Sequence, residues 1–151
     1  MPNWCNNSLR LSHSDPVMIS RAANAIEQQS FLSEFVPRPA DQEDNWYDWN
    51  IENWGTKWDV TDAYVNYATD SDLFVGFDTA WSPPVEAYAH LEALGFKVDA
   101  MYHEPGMAYY GSYVDGVDTC GEYSNFEEIP EDIVDEFGIE DWEEYEDSTE
   151  D

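Results

Sequence analysis

Positive charge is what this chain has least of. Five lysines and arginines stand against 34 aspartates and glutamates, a formal net charge of −29. Such a field repels phosphate backbones and anionic lipid surfaces, which argues against direct binding of nucleic acid or membranes and favours cationic partners. Cysteine is also scarce. Cys5 and Cys120 are far apart in sequence and read as two reduced, part-buried thiols rather than a disulfide. No stretch approaches the ~20 apolar residues that a membrane span needs. The opening Met-Pro-Asn-Trp-Cys-Asn-Asn carries no basic and apolar leader. These absences together predict a cytoplasmic protein.

The usual marks of catalysis are missing too. His13, His90 and His103 stand alone, without a His-x-x-x-His or Cys-x-x-Cys spacing for zinc. Asp115, Asp118 and Glu122 cluster in a glycine-containing turn but miss the alternate-position spacing of a calcium loop. Nothing marks a histidine partner for Cys5, and Gly106 to Gly111 lacks the lysine and helix of a phosphate loop. Carboxylate pairs are so numerous that none stands out as an acid–base couple. The expectation is therefore no enzyme, no metal and no cofactor.

What is present is enough for one folded domain. The chain has 151 residues, 42% of them hydrophobic, with seven Trp, ten Tyr and seven Phe. Asn3 to Ser12 reads as a strand, and Ser14-Asp15-Pro16 starts a helix whose apolar set is Met18, Ala22, Ala25 and Ile26. Residues 30–56, rich in Trp and broken by Pro37-Arg38-Pro39, read as irregular. Lys57 to Val60, Tyr64 to Ala68 and Leu73 to Ala80 read as strands, and Ser82-Pro83-Pro84 opens a helix closed by Gly95. Phe96 to His103 and Met107 to Asp115 read as a hairpin. This order predicts an α+β fold of the ferredoxin-like kind, an antiparallel sheet with two helices on one face.

Charge is distributed unevenly. The first forty residues balance Arg10, Arg21 and Arg38 against Asp15, Glu27 and Glu34, whereas residues 122–151 contain fifteen acids and no base. Within that acidic, partly helical C-terminal extension, Glu131 to Phe137 reads as a short amphipathic helix, followed by a further turn near Trp142. The last residues are expected to be disordered.

Four strings carry a family likeness: Met1 to Asn7 (MPNWCNN), Asn53 to Asp59 (NWGTKWD), Thr79 to Pro84 (TAWSPP) and Tyr102 to Gly106 (YHEPG). In order and placement they resemble the YubB-type ferredoxin-like family of phage and plasmid proteins. The likeness covers residues 1–121 and sets residues 122–151 apart as an addition. It implies the fold and a bacterial mobile-element origin, and no particular activity.

Two functional readings follow. The first is nucleic-acid mimicry. At one charge per ~1.7 Å of duplex axis, the 29 net charges match about 50 Å of DNA. The protein would block the DNA- or RNA-binding site of a basic host protein, such as a restriction or CRISPR defence effector. Glu127, Glu128, Glu131, Asp132, Asp135, Glu136, Glu140, Asp141, Glu143 and Glu144 would pair with its cations, and Trp142 and Tyr145 would anchor it. The second reading is a protein-binding module, monomeric or dimeric, that uses Trp46, Tyr47, Asp48 and Trp49, with the acids serving solubility. Trp54 and Trp58 are expected to be structural anchors, and Lys57 to pair with Asp59 or another acid.

Overall fold

The computed structural model describes residues 3–139, and within them every strand joins one sheet. Strand β1 (Trp4–Ser12) sends Leu9 and Leu11 to one face and Ser8 and Arg10 to the other, as the two-residue period of a strand requires. Helix α1 (Pro16–Glu27) follows. The Asp15 carboxylate accepts the Val17 N–H at 3.0 Å, and Pro16 occupies a first-turn position where no amide donor is needed. Its buried stripe is Ile19, Ala22, Ala25 and Ile26.

After the Trp-rich segment come β2 (Thr61–Ala68), β3 (Asp72–Ala80), α4 (Val85–Ala93) and β4 (Lys97–Glu104). Strands β5 (Tyr109–Val114) and β6 (Val117–Glu122) complete a six-stranded antiparallel sheet in the order β2-β3-β1-β4-β5-β6. The α+β class is as expected. One strand is not: residues 115–122 read as a turn and hold β6. Asp115 and Gly116 both have positive φ, 51° and 81°, the geometry of a two-residue primed hairpin turn.

The segment expected to be irregular is largely helical. It forms α2 (Phe31–Phe35), a 3₁₀ turn (Ala40–Asn45) and α3 (Trp46–Asn53). Tertiary contacts hold these short elements in place of long periodicity. The Asp59 carboxylate accepts from Leu32 N and Ser33 N at 2.8 and 2.9 Å, which caps α2. Asn50 donates to the Lys57 carbonyl at 2.7 Å, and the Trp54 indole donates to the Val36 carbonyl at 2.8 Å. Residues 57–60 are therefore a brace rather than the strand their composition suggests.

Two apolar clusters sit on opposite faces of the sheet. The larger joins Leu9, Leu11, Val75, Phe77, Val98 and Ala100 to α1, α2 and α4. The smaller consists of Ile129, Ile133 and Ile139 against Met101, Tyr110 and Tyr123. Helix α5 (Glu131–Phe137) has the bounds read from the sequence and ends at Gly138 in the left-handed conformation, φ 64°. It does not stand off as a charged arm. Glu136 crosses to β1, accepting from Ser8 Oγ at 2.9 Å and pairing with Arg10 at 3.2 Å.

Ile133 is 2% exposed and anchors this second cluster. Truncation by Ile133→Ala should lower unfolding free energy by about 2–4 kcal/mol in chemical denaturation. A loss below about 0.5 kcal/mol would mean that the C-terminal segment does not pack on the sheet.

Candidate functional site

The four sequence strings that carry the family likeness meet at one corner of the sheet. Trp4 is in register with Ala80, and Trp81 N donates to the Asn3 carbonyl at 2.8 Å. Thr56 Oγ1 donates to the Ala80 carbonyl at 2.8 Å, and Ser82 Oγ to the Gly55 carbonyl at 2.6 Å. The rings of Trp4 and Trp58 lie 6.3 Å apart. Gly106 lies so close to Asn3 that a Cβ there would fall 2.5 Å from Asn3 Cγ. The buried Glu104 carboxylate closes that turn by accepting from Gly106 N and Met107 N at 2.6 and 2.9 Å.

One strained backbone position lies here. Trp81 has φ 71° and is 43% exposed, a left-handed conformation that a bulky residue adopts only when its surroundings impose it. Its amide is held by Asn3, and its carbonyl accepts the Tyr109 hydroxyl. With Trp58, 39% exposed, it presents indole surface to solvent.

Beside this corner lies a cleft of about 630 Å³. It lies between the start of α4 and strands β4, β5 and β6, with β6 at the edge of the sheet. Pro83 and Val85 form one wall, the rings of Tyr102 and Tyr109 the floor, and Asp118, Cys120 and Glu122 the far wall. Strand alternation puts those three β6 side chains on one face. Tyr102 reaches them across Gly111, where a Cβ would lie 2.3 Å from its ring, and its hydroxyl donates to Asp118 at 2.6 Å.

The residues read as partner contacts are scattered around this core. Glu127, Glu128, Glu131, Asp132 and Asp135 are exposed along the 3₁₀ turn Phe126–Glu128 and α5. Glu128 accepts from Ser124 N at 2.8 Å and Asp132 from Ile133 N at 3.0 Å, so both also hold local backbone. Glu136 differs: with its side chain 14% exposed and bound to Arg10 and Ser8, it braces the sheet and is not available to a partner. Glu140, Asp141, Trp142, Glu143, Glu144 and Tyr145 lie outside the described residues.

The alternative aromatic set divides. Tyr47 and Asp48 are exposed and Trp46 half-buried, but Trp49 packs edge-on against Trp54 at 5.7 Å and belongs to the core. Trp54 is the anchor that was expected, at 4% exposure, whereas Trp58 is on the surface. Among the described residues Lys57 pairs with no acid. Its ammonium sits 4.4 Å from the Trp58 ring centroid and 5.7 Å from that of Tyr47, because Asp59 faces α2 instead.

The thiols are not alike. Cys5 is buried and Cys120 exposed, so neither is part-buried. Burial, with smaller contributions from Glu104 and Asp78, pushes the Cys5 thiol well above its ordinary range. Native protein should therefore consume one equivalent of a thiol reagent, at Cys120, and a second only on unfolding. Fast modification of both would contradict the placement of β1.

His103 is fully buried, its Nε2 2.7 Å from the Tyr123 hydroxyl, and desolvation lowers its pKa from 6.5 to about 4. Burial acts on the Asp78 and Glu104 carboxyls in the opposite sense, raising both. Between pH 6.5 and about 4 the unfolded imidazole binds a proton that the native one refuses. His103 thus removes stability as pH falls through that window, by at most about 1.4 kcal/mol per pH unit. Relative to His103→Gln, the wild type should lose stability from pH 6.5 to 4, and parallel pH profiles for the two would refute the assignment. Among the described residues, no three His, Cys, Asp or Glu side chains come together to hold a metal. No helix there is long and apolar enough to cross a membrane.

No family model matches the chain, and no curated protein matches it. Among solved structures it is similar to protein api92 from Yersinia pseudotuberculosis, which carries the family model DUF1281. The two share 23% identity and superpose with a TM-score of 0.48, over 64% of this chain and 40% of that one. The chain thus spans about 40% of the length of that protein, and no residue role is carried over from it.

Proposed function

We propose that this protein is a non-catalytic, acidic inhibitor that occupies the basic nucleic-acid-binding surface of another protein in place of DNA or RNA. One observation carries the reading: the chain's few arginines are spent internally. Arg10 pairs with Glu136, Arg21 with Glu34 at 2.7 Å, and Arg38 with Glu43 at 3.3 Å. Lys57 lies over aromatic rings. Glu127, Glu128, Glu131, Asp132 and Asp135 face solvent, and among the described residues no cation pairs with them. A field of one sign steers a basic cleft onto the surface and repels nucleic acid itself.

We read the β1-α1-β2-β3-α4-β4 core as ferredoxin-like, supported by the β2-β3-β1-β4 order within the sheet. On that reading and the YubB-type likeness of the four converging strings, the protein belongs to a phage or plasmid and works in the bacterial cytoplasm. Its target is a nuclease or other defence effector.

A second reading has an observation of its own. Trp58, Trp81 and Tyr47 expose aromatic surface beside the strained Trp81 backbone, as an aromatic contact patch would. Truncating the chain at residue 121 cannot separate the two readings, because residues 126–139 cover one face of the sheet.

Amide substitutions at Glu127, Glu128, Glu131, Asp132 and Asp135 remove charge and leave the packing alone. With a partner captured from bacterial lysate, the acidic reading predicts affinity lower by roughly tenfold or more in that variant, and by as much again between about 50 and about 500 mM salt. Affinity indifferent to both, but abolished by Trp58→Ala with Trp81→Ala, would move the function to the aromatic patch.

A further inference from the structure

The cleft beside α4 has a hydrogen-bonding polarity of its own. A hydroxyl has one proton to give, and carbonyl and carboxylate oxygens can only accept. Tyr102 gives its proton to Asp118, Tyr109 to the Trp81 carbonyl, and Ser82 to the Gly55 carbonyl. Among the described residues every hydroxyl lining the cleft is thereby committed as a donor inside the protein. What those groups still offer a ligand is lone pairs, and Asp118 and Glu122 add two carboxylates on the same face of β6. Among the described residues no lysine or arginine lines the cavity. Its other surfaces, Pro83, Val85 and the tyrosine rings, are apolar. The site presents acceptors at one side, apolar walls elsewhere, and room for a small organic molecule.

We propose that this cleft is a binding site for a donor-rich organic cation, an alkylguanidine or polyamine. Its aliphatic stem lies on Tyr109, Pro83 and Val85, and its charged head is taken by Asp118 and Glu122. Guanidinium and ammonium heads carry several N–H donors and no acceptor, which is the complement of this lining. The Tyr102 bond fixes Asp118 before the ligand arrives, and a preorganised acceptor loses less freedom on binding. Cys120, between the two carboxylates on the exposed wall, reports occupancy.

The inference does not rest on the acidic-surface reading, since it is measured on the protein alone and either can fail without the other. The probes are agmatine, spermidine and a blocked Gly-Arg-Gly peptide, titrated at physiological salt and followed by amide chemical shifts and by the rate of Cys120 alkylation. Saturable shifts confined to residues 82–85 and 118–122, with Cys120 protected, are expected. Asp118→Asn with Glu122→Gln should weaken binding by roughly tenfold or more. Glu131→Gln with Asp132→Asn, which neutralises α5 instead, should leave binding unchanged. Saturation by agmatine or spermidine assigns the site to a free small cation, and saturation by the peptide alone assigns it to an arginine displayed on a protein. Shifts that spread over the acidic surface without saturating, or that survive the Asp118 and Glu122 changes, overturn the proposal.

Discussion

The pairing of β1 on both edges, with β3 and with β4, is the contact on which the rest of the molecule depends. A central strand has both edges paired, and β1 also has both faces covered. Leu9 and Leu11 enter the helix-side core, while Ser8 and Arg10 receive Glu136 on the other side. A shift of one residue in that register would send Arg10 into the apolar cluster and Leu9 toward the carboxylate. Such a shift would also part Trp4 from Ala80 and open the corner where the Trp81 backbone is held strained. The fold, the second cluster and the candidate site thus share one register.

Legibility in the sequence followed the range of the interactions. Helix α1 was readable because its capping Asp15, its Pro16 and its apolar period all lie within fourteen contiguous residues. The same holds for α5, bounded by Pro130 and Gly138. Helices α2 and α3 were not readable. They are short, and their stability comes from Asp59 and Trp54, reaching α2 and Val36 from a distance. Strand β6 has a local signal in Asp115-Gly116, the dipeptide of a primed hairpin turn, but its acids and glycine also fit a plain turn. The cleft was invisible for a different reason. Its lining comes from Gly55, residues 82–85, the β4–β5 hairpin and β6, and its hydroxyls acquire a direction only when their acceptors are placed. Glu136 resembles its acidic neighbours because sequence does not say which carboxylate of a helix faces an arginine of the sheet.

Charge organises the surface as β1 organises the interior. Five cations in the whole chain leave little room for chance pairing, and the three arginines each hold two parts of the fold together. Arg10 also lies over Phe74 at 4.1 Å and Arg21 over Phe35 at 4.7 Å, so these cations have apolar partners besides their acids. Other carboxylates hold backbone, Asp59 at α2 and Glu104 at the turn before Met107, while Glu127, Glu131 and Asp135 face water. That division separates structural carboxylates such as Asp59, Glu104 and Glu136 from the exposed ones that give the molecule its field.

The central claim is that this field replaces nucleic acid on a partner. The most direct measurement is competition: a captured partner bound to labelled duplex DNA or RNA, titrated with this protein at fixed salt. The account predicts stoichiometric displacement of the nucleic acid, with an apparent affinity that falls as nucleic acid is added. Formation of a ternary complex, with protein and nucleic acid bound to the partner together, would contradict it.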